Sequence, residues 1–363
     1  MTRILVTAAT GKTGAAVVAE RLAAGRPVRA LVHRQDARSE RLRAQGAEIA
    51  VADMFDVAQL TAALEGIESA YFVPVFHPRM AEAATAFAVA AQATGLKAIV
   101  QLSQWLASPA HPSLMTRQLW LVERQFAALP GIAHVIVNPG MFADNFLRVM
   151  DFAALLGIYP VLTGTSRSAP VSNEDIAACV AVLLEDPVPH AGRRYRPSGP
   201  ELLSGAEMAR IVAGVVGHEV LPVNMAFWMF LKVARMQGVD PFELSGFRHY
   251  MADHRRGAFS FDGGVSDVVA ELTGRPAEQF EATARRYAAM PFARVSAGRR
   301  LRAMADFMGV PLMPGYDLDR YDRQHGFSPP AEARLAVDDP VWRAEREAQG
   351  RSLPGAAPLT AVA

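Results

Sequence analysis

The chain opens on an apolar run, Ile4-Leu5-Val6, that enters a glycine turn and passes directly into the helix-forming AAVVAERLAA. This strand–turn–helix order constrains the fold more than any other stretch. Gly11 lets backbone approach a pyrophosphate, Gly14 lets the helix pack against the strand, and free N–H groups at the helix start face an anion. The turn predicts a nucleotide-diphosphate site at the first βα junction; the plainer alternative is an ordinary connection.

Strand and helix patterns alternate onward, as a parallel sheet requires. VRALV (28–32), EIAVA (48–52), SAYFVPV (69–75), AIVQLS (98–103) and HVIVNPG (134–140) read as strands. ARSERLRAQ, FDVAQLTAALEG, RMAEAATAFAVAAQATG and MTRQLWLVERQFAAL read as the helices between them. Six strands joined by helices predict an α/β fold, a doubly wound parallel Rossmann sheet with ligands at the carboxyl ends of its strands. Downstream, LLSGAEMARIVAGVVG (202–217) reads as a capped amphipathic helix and MAFWMFLKVARMQG (225–238) as one apolar almost all round. The expected division is a dinucleotide-binding domain over 1–200, with 141–171 contributing to a smaller domain, and a helical substrate cover over 201–295. A C-terminal extension follows over 296–363, in which RRLRAMADFM looks helical before PLMPGYDL and FSPPAEA interrupt regular structure.

A hydrophobic fraction of 51% in 363 residues is ample for a large core. The net charge of +1 offers no basic concentration for nucleic acid. The lone cysteine, Cys179, excludes an intrachain disulfide and fits a reducing compartment, and no apolar span suits a membrane, so a cytoplasmic protein is expected. Neither GxSxG, HExxH nor CxxC occurs, which argues against serine hydrolysis and zinc chemistry, and no metal site is expected.

The stretch TAATGKTG, Thr7 to Gly14, resembles the TGATGxxG turn of the atypical short-chain dehydrogenase/reductase superfamily, particularly its NmrA-like branch. Ala8 stands at the family's first glycine, so the turn is expected to hold Ala8 at ordinary negative φ or to lie slightly farther from the phosphates. The likeness continues at VADMFD (51–56), where Asp53 and Met54 would flank the adenine, Asp53 serving alternatively as a helix cap. NPGMFADNFL (138–147) looks like the RPGxFxxN segment beside the nicotinamide, with Asn138 for the usual arginine. SNEDIA (172–177) and DVVAELTGRPAEQFEATARRYA (267–288) extend the resemblance across residues 1–295. It implies that Thr7, Ala9, Thr10, Gly11, Lys12, Thr13, Gly14, Val73, Pro74, Ser103, Pro139, Gly140 and Phe142 line an NAD(P) cofactor.

The end of the second strand selects the dinucleotide. An NAD site generally places an acid there for the ribose 2′-OH, whereas an arginine accommodates a 2′-phosphate. This chain has His33 and Arg34, and Asp36 beyond them reads as a helix N-cap. NADP(H) is preferred and NAD(H) possible, with Arg34 on the phosphate and Lys12 flanking it; a solvated Arg34 is the plainer reading.

The usual acid of such reductases is missing. A YxxxK pair sets a lysine four residues after a tyrosine on one helix face, and none of the seven tyrosines has it. The lysines are Lys12, Lys97 and Lys232 only, and aligning Glu123 with the family's glutamate puts Leu119 where relatives often keep a lysine. Replacements are Ser103 and Gln104 after strand five, His111 and His77 in loops as proton donors, and Arg117 for an oxyanion. Ser103 serves alternatively to satisfy local backbone. His249 and His254 read as surface residues. Met225, Trp228, Met229 and Phe230 either wall an apolar pocket above the nicotinamide or form small-domain core. Two functions remain open. One is an NADPH-dependent oxidoreductase acting on a smallish apolar carbonyl, quinone or enone, possible as a homodimer; the other is a non-catalytic dinucleotide-sensing regulator.

Overall fold

The computed structural model describes residues 3–351. Its strands are β1 (Ile4–Val6), β2 (Val28–Val32), β3 (Glu48–Val51), β4 (Ser69–Phe72), β5 (Ala98–Leu102), β6 (Ala133–Val137), β7 (Ile158–Val161), β8 (Arg167–Ser168), β9 (Arg194–Tyr195), β10 (Leu203–Ser204) and β11 (Leu221–Asn224). The helices are α1 (Lys12–Ala23), α2 (Ala37–Ala44), α3 (Val57–Leu64), α4 (Met80–Ala93), α5 (Leu114–Ala127), α6 (Ala143–Leu147), α7 (Met150–Leu156) and α8 (Asn173–Glu185). Then come α9 (Gly205–Val216), α10 (Phe227–Met236), α11 (Pro241–Arg255), α12 (Val268–Thr273), α13 (Phe280–Ala288), α14 (Ala297–Gly309), α15 (Leu318–His325) and α16 (Pro340–Arg351).

The main sheet has the order β3-β2-β1-β4-β5-β6-β9, all parallel, so the strand order reverses between β1 and β4. A crevice opens at such a switch point beyond the carboxyl ends of the strands. The strands read as continuous apolar runs because both faces are covered. Ile4 and Val6 face a core with Val17, Val18, Ile176 and Val180 of α1 and α8. Leu5 points oppositely, toward Leu60, Phe87, Val122 and Phe126 of α3, α4 and α5. Four strands, β3 to β6, end one to three residues earlier than their sequence suggests. β4 stops at Phe72 because the Val73 N–H turns to the Thr7 hydroxyl and Pro74 has none to offer.

A second layer forms where the chain leaves β6. Leu147, Met150 and Tyr159 pack with Met208, Val212, Phe280 and Ala284, joining α6, α7 and β7 to α9 and α13. α9 carries a reciprocal cap, Ser204 with Glu207, and closes on Gly217 at φ 77°. Beyond residue 295 the chain adds α14 to α16, and α16 inserts Trp342 and Arg346 with no exposure at all. The rest of the extension, after residue 351, lies outside the described residues.

Ala8 corrects an expectation: its φ is +46°, not negative. The reason is steric. An ideal Cβ on Gly14 would lie 2.4 Å from the Ala8 carbonyl oxygen, so the turn coils tightly under the helix start and residue 8 must adopt the left-handed region. Ala8→Gly is expected to stabilise the fold by about 0.5–1 kcal/mol by removing that strain. Urea denaturation checks it, and a loss of stability would contradict it.

Candidate functional site

The glycine turn places Gly11 as the N-cap of α1 with no side-chain acceptor on the first-turn N–H groups. Gly11 is exposed to the crevice, and a Cβ there would meet the Ala8 carbonyl at 3.1 Å. Thr10 and Thr13 are half-buried beside it. Two of the expected contacts serve the scaffold. Thr7 is fully buried, its backbone N–H donating to the Tyr71 carbonyl at 3.0 Å while its hydroxyl accepts from the Val73 N–H at 2.7 Å. Ala9 is buried too, its N–H donating to Leu31 at 3.2 Å.

On the adenosine side, His33 and Arg34 stand exposed at the end of β2. Asp36 caps α2, accepting from the Arg38 and Ser39 N–H groups at 2.8 and 3.2 Å while the Ser39 hydroxyl accepts from the Asp36 N–H. The Arg38 guanidinium and these N–H bonds pull the Asp36 carboxyl down to about 2. Thus the nearest acid is engaged by its own helix. Asp53 accepts from the Phe55 N–H at 3.0 Å, and the cap of α3 is Asp56, so Asp53 is not that helix's cap. Met54 packs against the second core cluster.

At the other half of the crevice, Ser103 ends β5 with its hydroxyl donating to Glu123 at 2.5 Å, and the second carboxylate oxygen takes Arg194 at 2.6 Å. Burial alone would raise Glu123, but Arg194 and Arg346 outweigh it and hold the carboxyl below its ordinary range. Ser103 is therefore held by a side chain, not by local backbone. Val73 and Pro74 are half-buried at the end of β4, Pro139 and Gly140 are buried after β6, and Phe142 pairs with Val171 through a single parallel bridge.

Lys12, expected to flank the phosphate, has an exposed side chain engaged by an acid. It pairs with buried Asp144 across the crevice, and the Tyr287 hydroxyl donates to the same carboxylate, with Arg148 at 3.4 Å. A lysine and a tyrosine thus meet at one acid although no YxxxK spacing exists. His111 is also relocated. It is fully buried, one ring nitrogen 2.7 Å from Asp253 and the other accepting from the Ser113 N–H at 3.1 Å, so neither nitrogen faces the crevice. His77 accepts from the Arg79 N–H at 3.1 Å, and Arg117 spends its guanidinium on the carbonyls of His111, Pro112 and Ser328. His249 and His254 are not surface residues: burial brings them to about 3 and about 4, and neither nitrogen of His254 has a partner.

An apolar cavity of about 140 Å³ opens beside the α6–α7 segment that follows β6. Met141, Phe146, Tyr159, Met225, Phe230, Phe247 and Met251 line it, with Asn145, Gln237, Arg148 and Glu243 as polar members. Met225 and Phe230 therefore wall a pocket, whereas Trp228 is 59% exposed and stacks under Lys232. Phe247 and Met251 of α11 were not singled out in the sequence; their spacing of four was the available signal.

The model of the NmrA-like family matches residues 1–240. The chain belongs to the NmrA-like family. The NAD(P)H azoreductase of Xenophilus azovorans is 30% identical over 292 residues, which span 79% of this chain and 98% of the azoreductase. The NADPH-dependent quinone oxidoreductase of Escherichia coli, solved with NADPH, is 25% identical with a TM-score of 0.66, covering 78% of this chain and 99% of that one. NmrA, a negative transcriptional regulator solved with NADP, shares the fold at 18% identity and a TM-score of 0.64, over 81% and 99% of the two chains. Among the described residues of this NmrA-like protein, no helix is long and apolar enough to cross a membrane, and no group of three or more His, Cys, Asp or Glu is placed to hold a metal ion.

The buried histidines give a pH prediction. His134 and His254 lie at about 4 and His249 at about 3 when folded, all lowered chiefly by burial from 6.5. The unfolded chain then binds protons that the native state refuses. Stability is full above about pH 6.5 and falls toward about pH 4, with a slope of about 1.4 kcal/mol per pH unit for each such proton. Urea midpoints measured across that range should decline, and less steeply in His254→Phe; a flat profile in the parent would contradict the assignment.

Proposed function

We propose that this NmrA-like protein is an NADPH-dependent oxidoreductase that reduces a small, largely apolar acceptor such as a carbonyl, quinone or enone. The observation that carries it is an uncapped glycine turn tied by the Lys12–Asp144 ion pair to α6, whose Asn145 and Phe146 line an apolar cavity. The residues present fit a dinucleotide: the first-turn N–H groups of α1 have no side-chain cap, and the exposed Gly11 sets no side chain before them. The azoreductase and quinone oxidoreductase relatives support the reaction class, and the NADPH of the latter's structure supports the cofactor.

In this reading the α1 N-terminus holds the pyrophosphate, and Arg34 with His33 takes the 2′-phosphate that no free acid at β2 opposes. Bound NADPH would supply a hydride from its nicotinamide. The adenosine half lies over β2 and β3, so the nicotinamide half belongs over β4 to β6, where Ser103, Pro139 and Phe142 stand. Ser103, its proton given to Glu123, offers lone pairs to a ribose hydroxyl. The cavity excludes water around the acceptor and Asn145 supplies it an amide donor.

Proton supply differs from that of a tyrosine–lysine reductase. Tyr159, which lines the cavity, donates its hydroxyl to the Phe146 carbonyl at 3.0 Å, and burial raises the phenol further. Arg148 and Glu243 face each other at 3.3 Å. Water or a ribose hydroxyl therefore delivers the proton, and His111 has no path to do so. A reducing compartment suits the chain, whose one cysteine is buried.

Calorimetry and turnover test this reading. Arg34→Ala should weaken NADPH by about 1.5–3 kcal/mol, the range for hydrogen bonds to charged groups, and barely alter NADH. Equal losses for both would contradict the assignment of the 2′-phosphate. Gly11→Val should abolish binding of either dinucleotide with the fold intact. Tight NADPH binding by the parent, with no oxidation in the presence of any carbonyl or quinone, would favour a sensing role over catalysis.

A further inference from the structure

One face of α16 is built against the nicotinamide end of the crevice. Trp342, Glu345, Arg346 and Gln349 are spaced i, i+3, i+4, i+7, the interval that aligns side chains along a helix. The Trp342 indole donates to the Trp105 carbonyl at 2.7 Å, and Arg346 donates to Trp105 at 3.0 Å and to Ala107 at 3.2 Å. Glu345 reaches Arg124 of α5 and lies 3.9 Å from Arg194 of β9. Gln349 and Asn138 exchange two amide hydrogen bonds, 2.8 and 3.0 Å, at the end of β6.

The loop so gripped is the one that follows Ser103. Three groups hold Trp105: Arg196 lies 3.7 Å from its ring centre, Arg346 lies 5.3 Å away, and its indole N–H goes to Ala258 at 2.8 Å. The rest of the loop meets the same C-terminal segment. Ser108 donates to Asp339 at 2.5 Å, and the Arg334 N–H donates to Ala110 at 2.9 Å. Asp253, the partner of His111, accepts from the Ala336 N–H at 2.8 Å. None of this segment lies within the 1–240 matched by the family model, and the azoreductase, matched over 98% of its length, leaves roughly a fifth of this chain over.

We infer that α16 is a working part of the cofactor site, with Arg346 and Trp342 as positioning residues that set the Ser103–Ala107 loop and, with Gln349 on Asn138, the two strand ends under the nicotinamide. The inference rests on the cofactor reading above. Arg346 acts as a charge: burial and nearby Arg194 bring it down only to about 10, so it stays protonated at neutral pH beside Glu123. It acts through Trp105 and Ala107, not on the reacting atoms.

The test separates the two halves of the ligand. NADPH and 2′-phospho-ADP-ribose, which lacks the nicotinamide, are titrated by calorimetry into the full chain and into Arg346→Met, Trp342→Phe and Gln349→Ala. The last two keep most of the packing and carry the test if Arg346→Met fails to fold. Loss of a charge-assisted or indole hydrogen bond is expected to weaken NADPH about tenfold while 2′-phospho-ADP-ribose changes less than about twofold. In steady-state assays kcat should fall with KM for NADPH rising. A parent that binds both ligands, with variants that weaken both alike or neither, overturns this inference alone. A parent that binds neither overturns the cofactor reading and this inference with it.

Discussion

The contact between Gly14 and the Ala8 carbonyl fixes where the rest of the dinucleotide half can lie. With 2.4 Å from an ideal Cβ to that oxygen, only glycine lets α1 begin directly on the end of β1. The helix start is thereby held at the point where the strand order reverses. Thr7 adds the second tie, joining β1 to β4 through Tyr71 and Val73. A left-handed alanine costs about 1–2 kcal/mol, and it persists because the strand, the turn and the helix all depend on the same approach.

The carboxylates around the crevice are committed inside the protein. Asp36 serves α2 and Arg38, Asp144 serves Lys12, Tyr287 and Arg148, and Glu123 serves Ser103 and Arg194. No free acid at the end of β2 then opposes a phosphate, while Arg34 remains 74% exposed in its side chain. On the proposed reading, a 2′-phosphate at the end of β2 would meet Arg34 and an Asp36 already engaged by α2 and Arg38. Holding Lys12 on Asp144 also ties the glycine turn to α6, so the phosphate end and the cavity share one ion pair.

The alternating pattern made the sheet legible because strands buried on both faces leave an unbroken apolar run. VRALV matches β2 residue for residue. The caps at Asp36 and Gly217 were equally readable, since each is a local solution to unpaired helix ends. What the chain did not disclose depends on distant partners. Ala8 reads as an ordinary residue until Gly14 packs over it. His111 looks like a loop donor until Asp253, 142 positions away, encloses it. His254 shares a polar stretch of sequence yet sits between Phe146 and Phe259. β9 is only two residues long, too short for any periodicity to mark it.

The extension shows the same limit at larger scale, and its energetics explain why it is not a passive appendage. A buried guanidinium is costly unless its donors find acceptors, and removing one member of such a set typically costs about 3–5 kcal/mol. Arg346 uses the carbonyls of Trp105 and Ala107, while Arg196, also over the Trp105 ring, uses that of Phe259. Peeling α16 away would leave the Trp105 carbonyl without its two donors and expose one edge of a ring that also anchors Ala258. Local detachment of the helix therefore carries the cost of disordering the loop after β5. α16 and the loop beside Ser103 are in this way coupled through Trp105 and Ala107, although more than two hundred residues of sequence separate them.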